Sequence, residues 1–334
     1  MSKKHYMNIP NISTSLNFGD ILGACKVRLG IGRMSYAVEP GLYAVGEPDA
    51  CSPVLVSANY KLTFDILRKN LAGLSCWLLI LDTKGINVWC AAGKGTFGTD
   101  ELVNRTRHTN LSDIVNHKKL ILPQLGATGV NSHEVTRRTG FSVAYGPIRA
   151  KDIQAYIADG CKATKEMRLV EFNFIDRLVL IPMELVPAVK ISLPIMGAAL
   201  ISNQFAKRPF KKPDIAAFSG AILSGAIITP LLLPYIPGRA FSWKGWISGL
   251  FSTLCILYKS KGFKKSNRLM AAGQLMLLPA FSSFIAMNFT GSTTYTSPSG
   301  VKKEMQRALP FIISTGVIGA VIILFSHFFG KERQ

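Results

Sequence analysis

Four stretches of this chain carry no charge at all, and they dictate its gross architecture. Residues 191–206, 215–238, 269–301 and 308–330 contain no Asp, Glu, Lys or Arg, and 240–258 holds only Lys244. Spanning a hydrocarbon core takes roughly 20 mostly apolar residues. Residues 176–334 therefore read as an all-α transmembrane domain of about five helices, near 181–201, 215–236, 240–258, 269–289 and 309–329. Residues 1–175 read as a domain outside the bilayer. Met1–Asp20 has Lys3 and Lys4 but no apolar core after them, so no cleavable leader is expected.

The net charge of +20 is shared unevenly. Residues 1–178 carry 22 basic and 15 acidic side chains, and residues 179–334 carry 17 and 4. Basic loops between apolar segments are a membrane-topology signal. With no nucleic-acid-binding motif in the chain, no nucleic-acid partner is expected. Five crossings would put the basic loops Lys207–Lys212 and Lys259–Arg268 on the side opposite the N-terminal domain. An interfacial 181–201, with Pro182, Glu184, Pro187, Lys190 and Pro194, would give four crossings. Five is the reading adopted, with 181–201 the weakest span.

In the N-terminal domain, residues 1–50 read as irregular or short-stranded. Beyond them, strands at Val54–Ser57, Trp77–Asp82, Lys119–Leu122 and Phe141–Tyr145 alternate with helices near Leu62–Leu71, Val88–Lys94, Thr99–Arg105, Ser132–Arg138 and Ile153–Ala158. Such alternation predicts an α/β fold with a mainly parallel sheet. Ligands of such sheets sit at the carboxyl ends of strands, where the segment after Trp77–Asp82 lies.

That segment reads Asn87-Val88-Trp89-Cys90-Ala91-Ala92-Gly93-Lys94. A phosphate loop is excluded, because position 88 is Val where Gly is needed and Gly95 follows the lysine in place of Ser or Thr. Gly30 and Gly32 begin a dinucleotide fingerprint that Ser35 breaks. The six cysteines, Cys25, Cys51, Cys76, Cys90, Cys161 and Cys255, form no CxxC pair, so no iron–sulfur cluster is expected in this chain. Most of them read as packing residues. His108, His117 and His133 have no spacing that selects one as partner to a catalytic thiol.

Cys90 has two readings of equal standing. As an N-cap, Asn87 would set Cys90 in the first turn of a short helix, where free N–H groups face an anion; thiolate is the metal-binding form of cysteine. With Ala91, Ala92 and Gly93 keeping the neighbouring face flat, the helix could lie against a large planar ligand. Alternatively, Cys90 is a buried residue of a tight strand–helix connection.

The octet 87–94 resembles the cap-helix signature of the HgcA family, the membrane-anchored corrinoid proteins of microbial mercury methylation. The resemblance extends through 38–65, 81–103 and 120–130. The same domain also resembles the corrinoid domain of the corrinoid iron–sulfur proteins of the acetyl-CoA pathway. Those proteins lack a cysteine at this position and carry an iron–sulfur module and a barrel domain not found here.

The resemblance implies a Rossmann-like corrinoid-binding domain in the cytoplasm, anchored in the cell inner membrane by a multi-pass domain. It implies Cys90 as catalytic residue and lower axial ligand of the corrinoid cobalt. Asn87, Val88, Trp89, Ala91, Ala92, Gly93 and Lys94 would shape the corrin-facing helix. Lys94 would be either a helix-end cation or a contact to a corrin carboxamide. A thiolate trans to a cobalt-bound methyl group donates electron density, which suits transfer to an electrophile such as mercury(II). The implied partners are a ferredoxin-like iron–sulfur protein of the HgcB type, as electron donor and mercury carrier, and a methyltetrahydrofolate-dependent methyltransferase as methyl source. Two other functions compete. One is a membrane corrinoid methyl carrier serving another acceptor in one-carbon metabolism. The other is a transporter with a sensing domain, which would require more intramembrane charge than Glu184, Lys190 and Lys244 supply.

Overall fold

The structure is a computed structural model describing residues 9–264, 267–293 and 295–330; Lys3 and Lys4 lie outside these. The chain forms two compact units, one made of the segment up to Val27 together with Ile31–Val170, the other of Arg28–Gly30 together with the segment from Glu171 onward.

The first unit runs α1 (Phe18–Arg28), β1 (Gly41–Val45), β2 (Val54–Ala58), α2 (Lys61–Lys69), β3 (Cys76–Leu81), α3 (Val88–Lys94), α4 (Thr99–His108), α5 (Leu111–Ile114), β4 (Lys119–Leu122), α6 (Ser132–Thr139), β5 (Ser142–Tyr145) and α7 (Ile153–Ala158). The strands form one sheet in the order β1-β3-β2-β4-β5. β2, β3, β4 and β5 are parallel, with Val54 opposite both Trp77 and Leu120. Only β1 runs antiparallel, with Gly41 opposite Ile80 and Val45 opposite Cys76.

Strand alternation divides the core into two layers. Val54, Val56, Trp77, Leu79, Leu120 and Leu122 face the layer that receives α3, α4 and α6. Leu55, Leu78, Ile80 and Ile121 face the layer formed with α2 and α7. Successive side chains of a strand point to opposite faces, so strands covered on both faces read as unbroken apolar runs, as Cys76–Leu81 does.

The expectation of an irregular or short-stranded N-terminal fifty residues holds for β1 and fails for α1. β1 is a strand whose partner lies more than thirty positions away in sequence. α1 is a helix with two glycines and a weak apolar pattern, held at its start by a reciprocal pair. Asp20 N–H donates to Asn17 Oδ1 (2.9 Å) and Asn17 N–H to Asp20 Oδ2 (3.0 Å). Asp20 also accepts from Lys61 (2.7 Å) and Arg68 (2.6 Å) on α2, and Asp65 bridges the same two cations. Tertiary ion pairing thus anchors a helix that local propensity leaves weak.

The second unit consists of α8 (Phe174–Ser202), α9 (Lys212–Leu223), a π turn (Ser224–Ile228), α10 (Thr229–Leu231), α11 (Phe241–Lys259), α12 (Arg268–Asn288) and α13 (Pro298–Phe329). Four described helical stretches are long and apolar enough to cross a membrane: Phe174–Phe205, Lys212–Leu231, Arg268–Gly291 and Ser299–Phe329. The 181–201 stretch, expected to be the weakest span, lies within the first of these and stays helical through Pro182, Pro187 and Pro194. α11 does not join them, its composition being diluted by Lys244 and by several Ser and Gly residues. At the π turn, Thr229 Oγ1 donates to Ser224 O (2.8 Å), giving a displaced carbonyl a partner.

Candidate functional site at the carboxyl end of the sheet

β2 is followed by β3 on one side, and the chain then crosses to β4 on the other. This reversal leaves a crevice beyond the carboxyl ends of β2 and β4, the place where open α/β sheets bind ligands. A cavity of about 320 Å³ lies there. Its walls include Val56 and Ser57 of β2, Ile66 of α2, Leu122 and Pro123, Pro147, and Asn87, Val88 and Trp89.

The connection carrying α3 to this crevice is braced from below. Buried Asn59, just past β2, accepts through Oδ1 from Thr83 N–H (3.1 Å), Thr83 Oγ1 (2.9 Å) and Gly85 N–H (3.0 Å). Thr83 Oγ1 also lies 2.6 Å from Ile86 O. Glu101 accepts from Asp82 N–H (2.8 Å) while paired to Arg105 (2.7 Å). Sequence reading missed Asn59, Thr83 and Glu101, because their partners are distant in sequence and no motif marks them.

α3 begins as its sequence predicts. The Asn87 side chain accepts from Cys90 N–H (2.9 Å), and Gly95 ends the helix in the left-handed conformation at φ 81°. Its faces differ from the expected smooth surface. Val88, Ala91 and Ala92 point into the core, and Trp89, Cys90, Gly93 and Lys94 are exposed. Ala91 and Ala92 therefore do not line an open face; their small size lets the helix sit close on the loop before α6. A Cβ placed on Gly129 would stand 3.0 Å from Ala92 Cα. A Cβ on Gly93, by contrast, would meet nothing within 4 Å.

Cys90 is exposed, which removes the reading of it as a buried connection residue. Trp89, 40% exposed, forms part of the cavity wall beside it. Lys94 is exposed in the last turn. Among the described residues no three His, Cys, Asp or Glu side chains gather into a metal site, so Cys90 offers one ligand rather than a coordination shell. The expectation that most cysteines are packing residues fails: only Cys76 is buried, and burial pushes its thiol up to about 12. His108 bonds the Asn104 carbonyl and His117 the Ser52 carbonyl, so both histidines are engaged with backbone.

Residues 26–157, which include this whole site, match the family model described as CO dehydrogenase/acetyl-CoA synthase delta subunit. Curated relatives carry a related name. An acetyl-CoA decarbonylase/synthase complex subunit gamma of Methanopyrus kandleri is 34% identical over 122 residues, 36% of this chain and 26% of that protein. The Methanocaldococcus jannaschii subunit gamma is 34% identical over 119 residues, 34% and 23% of the two chains. Subunit gamma 2 of Methanosarcina thermophila is 38% identical over 99 residues, 28% and 21%. The matches are to acetyl-CoA decarbonylase/synthase subunits. This corrects the resemblance to the mercury-methylating family: over much the same residues, the family model and the curated relatives name the acetyl-CoA-synthesising complex instead. The chain spans about a quarter of the length of these relatives.

Proposed function

We propose that this chain is a membrane-anchored corrinoid methyl carrier of one-carbon metabolism, exchanging a methyl group with partner proteins. The observation that carries the reading is the crevice at the carboxyl end of the sheet, walled by Asn87–Trp89 and flanked by the exposed Cys90 thiol. The similarity to subunits of a multi-protein acetyl-CoA-forming complex supports the same class of chemistry and the expectation of partners.

The residues fit a corrinoid on their own terms. A corrinoid brings most of its cobalt's ligands with it, so one protein donor would suffice, and the exposed thiol of Cys90, next in sequence to the cavity-lining Trp89, would supply it. When bound, a corrinoid supplies a cobalt that takes up and hands on a methyl group. Asn87 fixes the Cys90 backbone, so the thiol is presented from a rigid turn. Asn59 and Thr83 hold that turn against the sheet. Trp89 offers an apolar wall to the cofactor, and Gly93 leaves the face beside Cys90 open. A low-potential iron–sulfur protein is the partner that would keep the cofactor reduced, and a methyltetrahydrofolate-dependent methyltransferase would load it. The four apolar helices would hold the carrier at the cell inner membrane with its α/β unit in the cytoplasm.

The test is corrinoid titration of the full-length protein in detergent, followed by absorption spectroscopy. Wild type is expected to bind with a thiolate-ligated spectrum, Cys90→Thr to bind without it, and label from a radioactive methyl donor to appear on the protein-bound corrinoid when methyltransferase and reductant are added. Absence of corrinoid binding by wild type would overturn the assignment.

A further inference from the structure

The second unit contains a pair of adjoining cavities of opposite character. The larger, about 390 Å³, lies among α8, α9, α12 and α13, with walls such as Ala199, Phe218, Leu277, Ala320 and Phe328. At one end its wall is formed by Asp214 and Gln274. The same two residues line a smaller polar cavity of about 90 Å³ together with Arg208, Lys211, Ser260 and Asn267. A single amphipathic molecule could occupy both.

Arg208 gives the polar end its specificity. Its side chain is 9% exposed, yet among the described residues every side-chain acceptor around the guanidinium stands at the far limit of hydrogen bonding. Nη1 and Nη2 lie 3.4 and 3.5 Å from the Asp214 carboxylate, and Nε lies 3.4 Å from Asn267 Oδ1. Asp214 is meanwhile held by shorter donors, Gln274 Nε2 at 2.7 Å and Lys211 N–H at 2.9 Å. The buried cation thus has unused donor capacity while its counter-ion is already served.

The loop bearing Arg208 is also held in place. Arg208 N–H donates to His327 O (3.0 Å), and the His327 ring bonds Arg208 O (2.9 Å) and Ser202 Oγ (2.9 Å). Asn203 exchanges hydrogen bonds with the Phe210 backbone, at 2.8 and 3.2 Å. The charge around it is predominantly positive. Lys207–Lys212 has four Lys or Arg and Lys259–Arg268 has five, and Asp214 is the single acidic residue between positions 185 and 303 of the sequence.

We infer that the paired cavities are a binding site for an anionic phospholipid, its phosphate against Arg208 and an acyl chain in the apolar cavity. The inference rests on the reading of these helices as membrane-spanning. On that reading the basic loops lie at a bilayer surface, where the available anions are lipid phosphates and polybasic segments recognise them.

The test uses full-length protein delipidated in a neutral detergent, with thermal unfolding followed as lipids are added. Phosphatidylglycerol is expected to raise Tm by several degrees, because a ligand that binds the native state alone stabilises it. Phosphatidylcholine and inorganic phosphate are expected to leave it unchanged. Arg208→Gln should lose the shift by removing the cation. Ala320→Phe should lose it by filling the tail cavity with the cation untouched, which separates binding from any folding defect of the arginine variant. A full shift in both variants would overturn the site, and an equal shift with phosphate alone would reduce it to an anion site without a lipid. Extraction of the chain from membranes by alkaline carbonate would refute the membrane reading itself. A chain that resists carbonate but shows no lipid response refutes only this inference.

Discussion

Leucine placed at two adjacent positions of α3 should give opposite results. Ala92 is 5% exposed, and Gly129 comes so close to its Cα that even a methyl group on that glycine would stand at 3.0 Å. Ala92→Leu must fit three more carbon atoms into that contact, and overpacking of this kind costs about 1–3 kcal/mol. For a unit of this size such a loss lowers Tm by roughly 3–9 °C. Gly93→Leu meets no atom within 4 Å of its new Cβ. Replacing a helical glycine by leucine there should instead gain roughly 0.5–1 kcal/mol. Yet its side chain would stand on the exposed face beside Cys90, so it should obstruct a macrocycle and weaken corrinoid binding. The assay is paired: protease susceptibility of the α/β unit against temperature without cofactor, and corrinoid occupancy by absorbance. If Gly93→Leu binds corrinoid normally, the outer face of α3 is not the cofactor face. If it melts as early as Ala92→Leu, the assignment of buried and exposed faces is wrong.

Cys90→Ala, at an exposed position, should leave the melting temperature unchanged while removing the thiolate signature from the corrinoid spectrum; an unaltered spectrum would rule out axial ligation. Asn59→Ala should cost about 1–3 kcal/mol by leaving the Thr83 and Gly85 donors without a buried acceptor, read as a lower urea midpoint. Asn59→Asp, which keeps the acceptor, should recover most of that loss. For Asp20, burial alone would raise the carboxyl pKa, but hydrogen bonds from Lys61, the Asn17 backbone interaction and Arg68 override it and lower the value from 3.8 to about 2. A depressed folded-state pKa contributes stability that is complete above the unfolded value and disappears as pH falls from about 4 towards 2; here it amounts to roughly 2 kcal/mol. Asp20→Asn should therefore flatten the acid limb of the stability profile, and an unchanged limb would show that the network does not report on folding.

Much of the local architecture could be read from residue order alone. Apolar runs free of charge marked the helices of the second unit, because removing ionic groups from water is costly over any length that could span a bilayer. α3 was bounded at both ends by its flanking residues, with the Asn87 side chain capping the start and the conformational freedom of Gly95 allowing the stop. The largely apolar run Trp77–Asp82 declared a buried strand, which the fold places at Cys76–Leu81, covered on both faces. Tertiary structure alone decided the rest. Seven residues containing Ala-Ala-Gly carry too little apolar periodicity to say which face of α3 turns inward, so only packing on Gly129 and the sheet sends Ala91 and Ala92 to the core and Cys90 outward. β1 and α1 owe their states to a distant strand and a distant pair of cations. The crevice beside Trp89 exists because strand order reverses between β2 and β4, and the slack around Arg208 exists because its acceptors come from separate elements. Local energetics are written in neighbouring residues, whereas the distances between remote ones are set only when the whole chain has folded.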